Sequence, residues 1–71
     1  MNFYTTNIYF IVRYTFCGIT RNRHFKTIKN ALNFFEGIAQ DELYTKIELI
    51  KVFKTEDEVG TITDIYEERL K

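Results

Sequence analysis

The sequence predicts an α+β domain of order β-β-α-β-β: an antiparallel sheet of two hairpins with one helix packed on a face. Three observations carry that expectation. Residues 7–16 are β-branched or aromatic almost throughout and run into a Cys17-Gly18 step. Apolar side chains then recur at helical spacing from Ile28 to Ala39, and strand chemistry resumes at Tyr44. One helix between two hairpins allows a single core layer between its apolar stripe and the sheet.

Alternation along the first strand puts Ile8, Phe10, Val12, Tyr14 and Phe16 on one face; Tyr9, Ile11, Arg13 and Thr15 take the other. Gly18 accepts positive φ without steric cost, which suits a compact turn. A two-residue loop pairs Phe16 with Ile19, Tyr14 with Arg21, Val12 with Arg23, Phe10 with Phe25 and Ile11 with His24. That register sets Arg21 and Arg23 among apolar neighbours. A bulge or a longer loop around residues 17–20 turns them outward instead, so their direction stays open at this level.

Thr27 is a good N-cap for a helix over about residues 28–40. Ile28, Ala31, Leu32, Phe35, Ile38 and Ala39 form its apolar stripe, with Phe34 on the flank. Lys29, Asn30, Asn33, Glu36 and Gln40 face water. Gly37 weakens the helix interior by roughly 1 kcal/mol relative to Ala, or else permits a close backbone approach to the sheet. In the third strand Ile47 and Leu49 share one parity, Ile50 and Val52 the other. Either both faces are covered or a bulge lies between Leu49 and Ile50. Residues 54–58, "KTEDE", suggest a charged turn, and 59–66 a fourth strand. Ile62, Ile65, Tyr66 and Leu70 also fit a terminal helix, but Thr61, Ile62 and Thr63 favour the strand, with 67–71 frayed or helical.

With 71 residues the chain is expected to be one domain, 1–71, with a thin stability margin. Its seven Phe and five Tyr, six of them within the first sixteen positions, exceed what one small sheet face buries. The surplus points to cover on the second face or to a homo-oligomer contact. A single cysteine, Cys17, rules out an internal disulfide and suits a reducing cytoplasm. Nothing resembles a signal peptide, and the apolar run 8–12 is far short of the roughly 20 residues that span a bilayer, so no membrane partner is expected.

Zero net charge hides a division. Residues 1–35 carry five bases and no acid, a balance of +5; residues 36–71 carry five bases and ten acids, a balance of −5. The bland explanation sets the basic hairpin beside the acidic C-terminal strands. The functional one gives each half a charged partner. Arg13, Arg21, Arg23, His24, Lys26 and Lys29 are candidate phosphate contacts, with Tyr9, Tyr14 or His24 to stack on unpaired bases. Glu56, Asp57, Glu58, Asp64, Glu67 and Glu68 are candidate contacts to a basic partner. Enzymatic work is not expected: the single His and single Cys fall at opposite ends of the hairpin, and a nucleophile needs an adjacent base. One His and one Cys cannot close a tetrahedral metal site, and no cofactor is expected.

The segment "RNRHFKTIKNALNFFEGI", residues 21–38, resembles the strand-to-helix junction in the arm-binding domains of tyrosine recombinases, with Phe25, Lys26, Thr27 and Ala31 at the matching positions. The resemblance implies a DNA-contacting sheet backed by the helix. That family places three strands before its helix, where this chain is expected to place two. In size, composition and layout the whole chain is similar to small accessory proteins of phages and mobile elements from AT-rich Gram-positive bacteria. That likeness implies a non-enzymatic protein in the host cytoplasm that occludes or inhibits a host protein, such as a defence or nucleic-acid-handling complex. DNA or RNA binding through the basic hairpin is the alternative, and a structural homodimeric subunit the second.

Overall fold

The computed structural model describes residues 3–71. Its elements run β1 (Tyr4–Phe16), β2 (Ile19–Phe25), α1 (Ile28–Ala39), β3 (Tyr44–Asp57) and β4 (Ile62–Arg69), the expected β-β-α-β-β order. All four strands join one antiparallel sheet in the order β2-β1-β3-β4. The two longest and most apolar strands therefore take the centre, and the two short charged ones take the edges.

The first hairpin turns on two residues. Cys17 and Gly18 both have positive φ, 52° and 78°, the requirement of a turn whose twist matches that of the strands. The register follows: Phe16 opposite Ile19, Tyr14 opposite Arg21, Val12 opposite Arg23, Phe10 opposite Phe25. β2 stops at Phe25, so residues 4–9 of β1 pair only with β3. Thr27 caps the helix, its Oγ1 accepting from the Asn30 N–H at 3.3 Å. Asp41 organises the exit, accepting from the Leu43 N–H at 3.0 Å.

Phe10, Val12 and Leu49 form the sheet side of the main core, with Ala31 and Ile38 of the helix above them. Gly37 has no close neighbour around the position of a side chain, so close approach to the sheet is not its role. The parity break at Leu49 and Ile50 has the first of its two explanations. Ile11, Ile50 and Val52 are buried together on the opposite face, beside Tyr9. The bulge lies elsewhere, where the register shifts between Arg13 and Thr15 and Lys46 takes a φ of 51°.

Two expectations at the C-terminal end are corrected. Residues 54–57 continue β3 rather than form a turn, because Tyr4, Thr5, Thr6 and Asn7 of β1 pair with them. The turn is 58–60, with Asp57 Oδ1 accepting from the N–H groups of Val59 at 3.1 Å and Thr61 at 2.8 Å; Gly60 supplies the positive φ. Nor are residues 67–71 frayed or helical. β4 runs to Arg69, and Leu49 exchanges backbone hydrogen bonds with Leu70 and Lys71.

The described residues extend 51 × 24 × 15 Å. Fourteen residues of β3 reach about 46 Å at strand rise. The 12-residue helix reaches only about 18 Å. It packs on β1, β2 and β3, and on the outer side it meets only the chain just past β4, where the Lys71 ammonium lies 5.9 Å from the Phe35 ring. More than half the sheet's length therefore has no helix over it.

Candidate functional site

The two candidate sets are each divided between the sheet's faces. Strand pairing places Tyr4, Thr6, Ile8, Phe10, Val12 and Tyr14 on the helix side of β1, with Tyr9, Ile11 and Arg13 on the open side. Arg21 and Arg23, opposite Tyr14 and Val12, therefore lie on the helix side. The Arg23 guanidinium sits 4.8 Å from the centre of the Phe34 ring and 5.8 Å from that of Phe25, a cation–π arrangement that covers the edge of the core. On the open side, Arg13 donates through Nε to Asn22 Oδ1 at 2.9 Å and pairs with Glu67 at 3.8 Å. His24 stacks on Tyr9, ring centres 5.7 Å apart. Lys29 is exposed in the first turn of the helix.

Tyr9, His24, Phe25, Lys26 and Lys54 line an open cleft of about 430 Å³ at the end of β2. It unites three residues expected to contact nucleic acid, Tyr9, His24 and Lys26, with Lys54 from the acidic half. Lys54 also pairs with Glu56 at 3.1 Å. Cys17, in the turn, is remote from His24, which stands opposite Ile11.

Three of the six candidate acids have structural partners. Glu56 holds Lys54, Asp57 closes the turn and Glu67 meets Arg13. Glu58 is exposed in the turn. Asp64 and Glu68 stand opposite Thr55 and Lys51, and so share the helix side with Tyr66, opposite Phe53. The Phe53 and Tyr66 rings are 5.8 Å apart, and the Lys51 ammonium lies 4.9 Å above Phe53. Tyr66 is 60% exposed and Ile8, the β1 partner of Phe53, 46% exposed. The result is an aromatic and aliphatic row across β1, β3 and β4, with a carboxylate on each side of its outer ring and no helix above it.

The row is hidden in the sequence because its acids read as a charge run. The alternation Asp64-Tyr66-Glu68 was the available signal once residues 62–69 are taken as a strand. The first hairpin does lie beside the acidic C-terminal strands, through β1 on β3, where Arg13 stands opposite Glu48; its second strand does not. β2 and β4 occupy opposite edges, and among the described residues only the Arg13–Glu67 ion pair joins the two halves. The basic and acidic edges lie on opposite sides of the molecule.

Comparison of the chain with protein-family models, with curated proteins and with solved structures finds no match.

Proposed function

We propose that this chain is a non-enzymatic binding protein that covers a basic surface of a partner protein with the helix-side face of β4. The observation that supports this reading is Tyr66, exposed between Asp64 and Glu68 on a part of the sheet the helix does not reach. Tyrosine backed by a second ring offers apolar area at low entropic cost and is the residue type that anchors interfaces. The flanking carboxylates select a cationic partner and speed its approach. In this reading, which also takes up the resemblance in size and composition to phage accessory proteins, the partner is a host protein encountered in the host cytoplasm. Its basic groove holds nucleic acid, and the carboxylates occupy phosphate positions. Inhibition by occlusion follows without chemistry.

Capture from nuclease-treated host lysate tests the reading. The immobilised chain is expected to retain one dominant protein, released by the double substitution Asp64→Lys and Glu68→Lys and by Tyr66→Ala. Arg21→Glu with Arg23→Glu should leave capture unchanged. Capture that survives the β4 substitutions but fails with the arginine pair sinks the proposal.

One observation favours a second reading, nucleic-acid binding, and it moves the expected contacts from the arginines to the cleft. Tyr9 and His24 form a stacking pair with Lys26 and Lys54 beside it, the combination that holds an unpaired base and its phosphates. A gel shift that weakens with salt, and with His24→Ala plus Lys26→Glu, would support it. Absence of a shift at low salt would end it.

A further inference from the structure

From the unpaired edge of β1, we infer that residues 4–8 form an antiparallel pair with the same residues of a second copy of this chain, making a two-fold symmetric dimer with a continuous sheet.

The pairing groups can be assigned from the first hairpin. Phe16 and Ile19 close a two-residue turn, so they exchange backbone hydrogen bonds. Hydrogen-bonded pairs alternate along an antiparallel ladder, which makes Tyr14, Val12 and Phe10 the next residues of β1 to bond β2. Beyond Phe10 the second strand has ended. Ile8, Thr6 and Tyr4 still turn their N–H and C=O groups toward a lane that no described residue fills, while β3 occupies the other side.

Among the described residues four stretches of strand edge are open to a partner, and three of them carry charge. One is the outer side of β3 before Leu49, which bears Lys46, Glu48 and the bulge. The outer edge of β2 bears Arg21, Arg23 and His24; that of β4 bears Asp64, Glu67, Glu68 and Arg69. Charge, proline and bulges are the usual protection of edges. Residues 4–9, "YTTNIY", have no charge, no proline and no register shift. A second copy therefore meets neither repulsion nor distortion here, whereas two β2 edges or two β4 edges repel.

The register is also determined. Setting Thr6 opposite Thr6 of the other copy places Tyr4 opposite Ile8 and Ile8 opposite Tyr4, and satisfies every outward group of the three residues. Shifting by two residues strands one pair or drives it into Phe25, which already occupies the position opposite Phe10. Tyr4 and Ile8, 58% and 46% exposed, then become cross-strand neighbours, a favourable aromatic–aliphatic pair. The contact is short, so the dimer is weak and concentration-dependent. Both helices fall on one face of the joined sheet, bringing the two Tyr66 rows to the same side.

The test uses the full chain. Sedimentation equilibrium is expected to give a reversible dimer at high concentration. Thr6→Pro removes an outward N–H and the exposed hydroxyl contact to Thr55; Thr6→Ala, which loses the hydroxyl alone, is the control. Circular dichroism should show a retained fold in both, while dimerisation weakens about ten- to hundredfold in the Pro variant only. In a Cys17→Ser background, Thr6→Cys should cross-link to itself. Its Cα atoms lie about 5.5 Å apart across the axis, within disulfide range. Asn7→Cys should not, because residue 7 faces Thr5 of the other copy and its own counterpart is out of reach. A monomer at every concentration, a Thr6→Pro chain that dimerises as well as the parent, or equal cross-linking at positions 6 and 7 would each overturn the inference.

Discussion

Replacing Arg13 measures how the open face of the sheet stays dry without a second layer. Ile50 is 3% exposed and Val52 1%, yet among the described residues no helix or strand lies over them. Arg13 on β1 is level with Glu48 and Glu67 on β4 with Val52, so across β3 and four residues of offset their backbones stand about 16 Å apart. Their side chains meet at 3.8 Å, which requires them to bridge over the row that contains Ile50. The ion pair is between a third and a half exposed, and such a pair contributes at most about 1 kcal/mol and more often a few tenths. The arginine stem matters more. Truncation to Ala uncovers about 50 Å² of apolar surface, or roughly 1.3 kcal/mol at 25 cal/mol per Å². Arg13→Ala should therefore cost about 1.5–2 kcal/mol. Arg13→Met keeps the cover and should cost about 0.5 kcal/mol, including the lost bond to Asn22. Glu67→Gln should cost no more than about 0.5 kcal/mol. Urea unfolding followed by circular dichroism resolves these differences, and the Ala variant should melt about 6–16 °C lower. If Met costs as much as Ala, charge rather than cover protects the cluster and the reasoning is wrong.

Substituting Cys17→Asn should raise stability by about 0.5 kcal/mol in urea unfolding, because Asn accepts the positive φ of the first turn position more readily than Cys; a loss of stability would contradict the turn assignment. Asp57→Ala removes the acceptor of two N–H groups in the second turn and should cost about 1–2 kcal/mol in the same assay, with Glu58→Ala near zero as the control. Leu49→Ala empties a 1% exposed position between sheet and helix and should cost about 2–5 kcal/mol, a large share of the margin of a domain this size. A cost below 1 kcal/mol there would place the core elsewhere.

Local chemistry made the first hairpin and the helix legible. Two turn residues fix a register, and Thr27 with the Ala31–Ile38 stripe fixes the helix start and its buried face. Longer-range choices were less visible. Strand order follows from burial: β1 and β3 supply the apolar residues of both faces and take the centre, which leaves the basic β2 and the acidic β4 at opposite edges. Residues 54–57 looked like a turn by charge, but pairing with residues 4–7 and the Thr6–Thr55 hydroxyl contact at 3.3 Å draw them into β3. The bulge at Lys46 has no signal of its own, since glycine is the usual occupant of that conformation. At the candidate site, counting charges gave two sets of six residues. The pleat then divided each set between two faces, and the exposed row at Tyr66 depends on how far a helix of 12 residues reaches along a strand of 14.

Backbone hydrogen exchange of the chain with and without its captured partner tests the binding face most directly. Protection concentrated in residues 62–69 and the facing stretch of β3 around Phe53, with residues 19–26 unchanged, is the predicted result. Protection confined to residues 19–26 and the Tyr9 cleft would contradict the account and transfer the function to the basic edge.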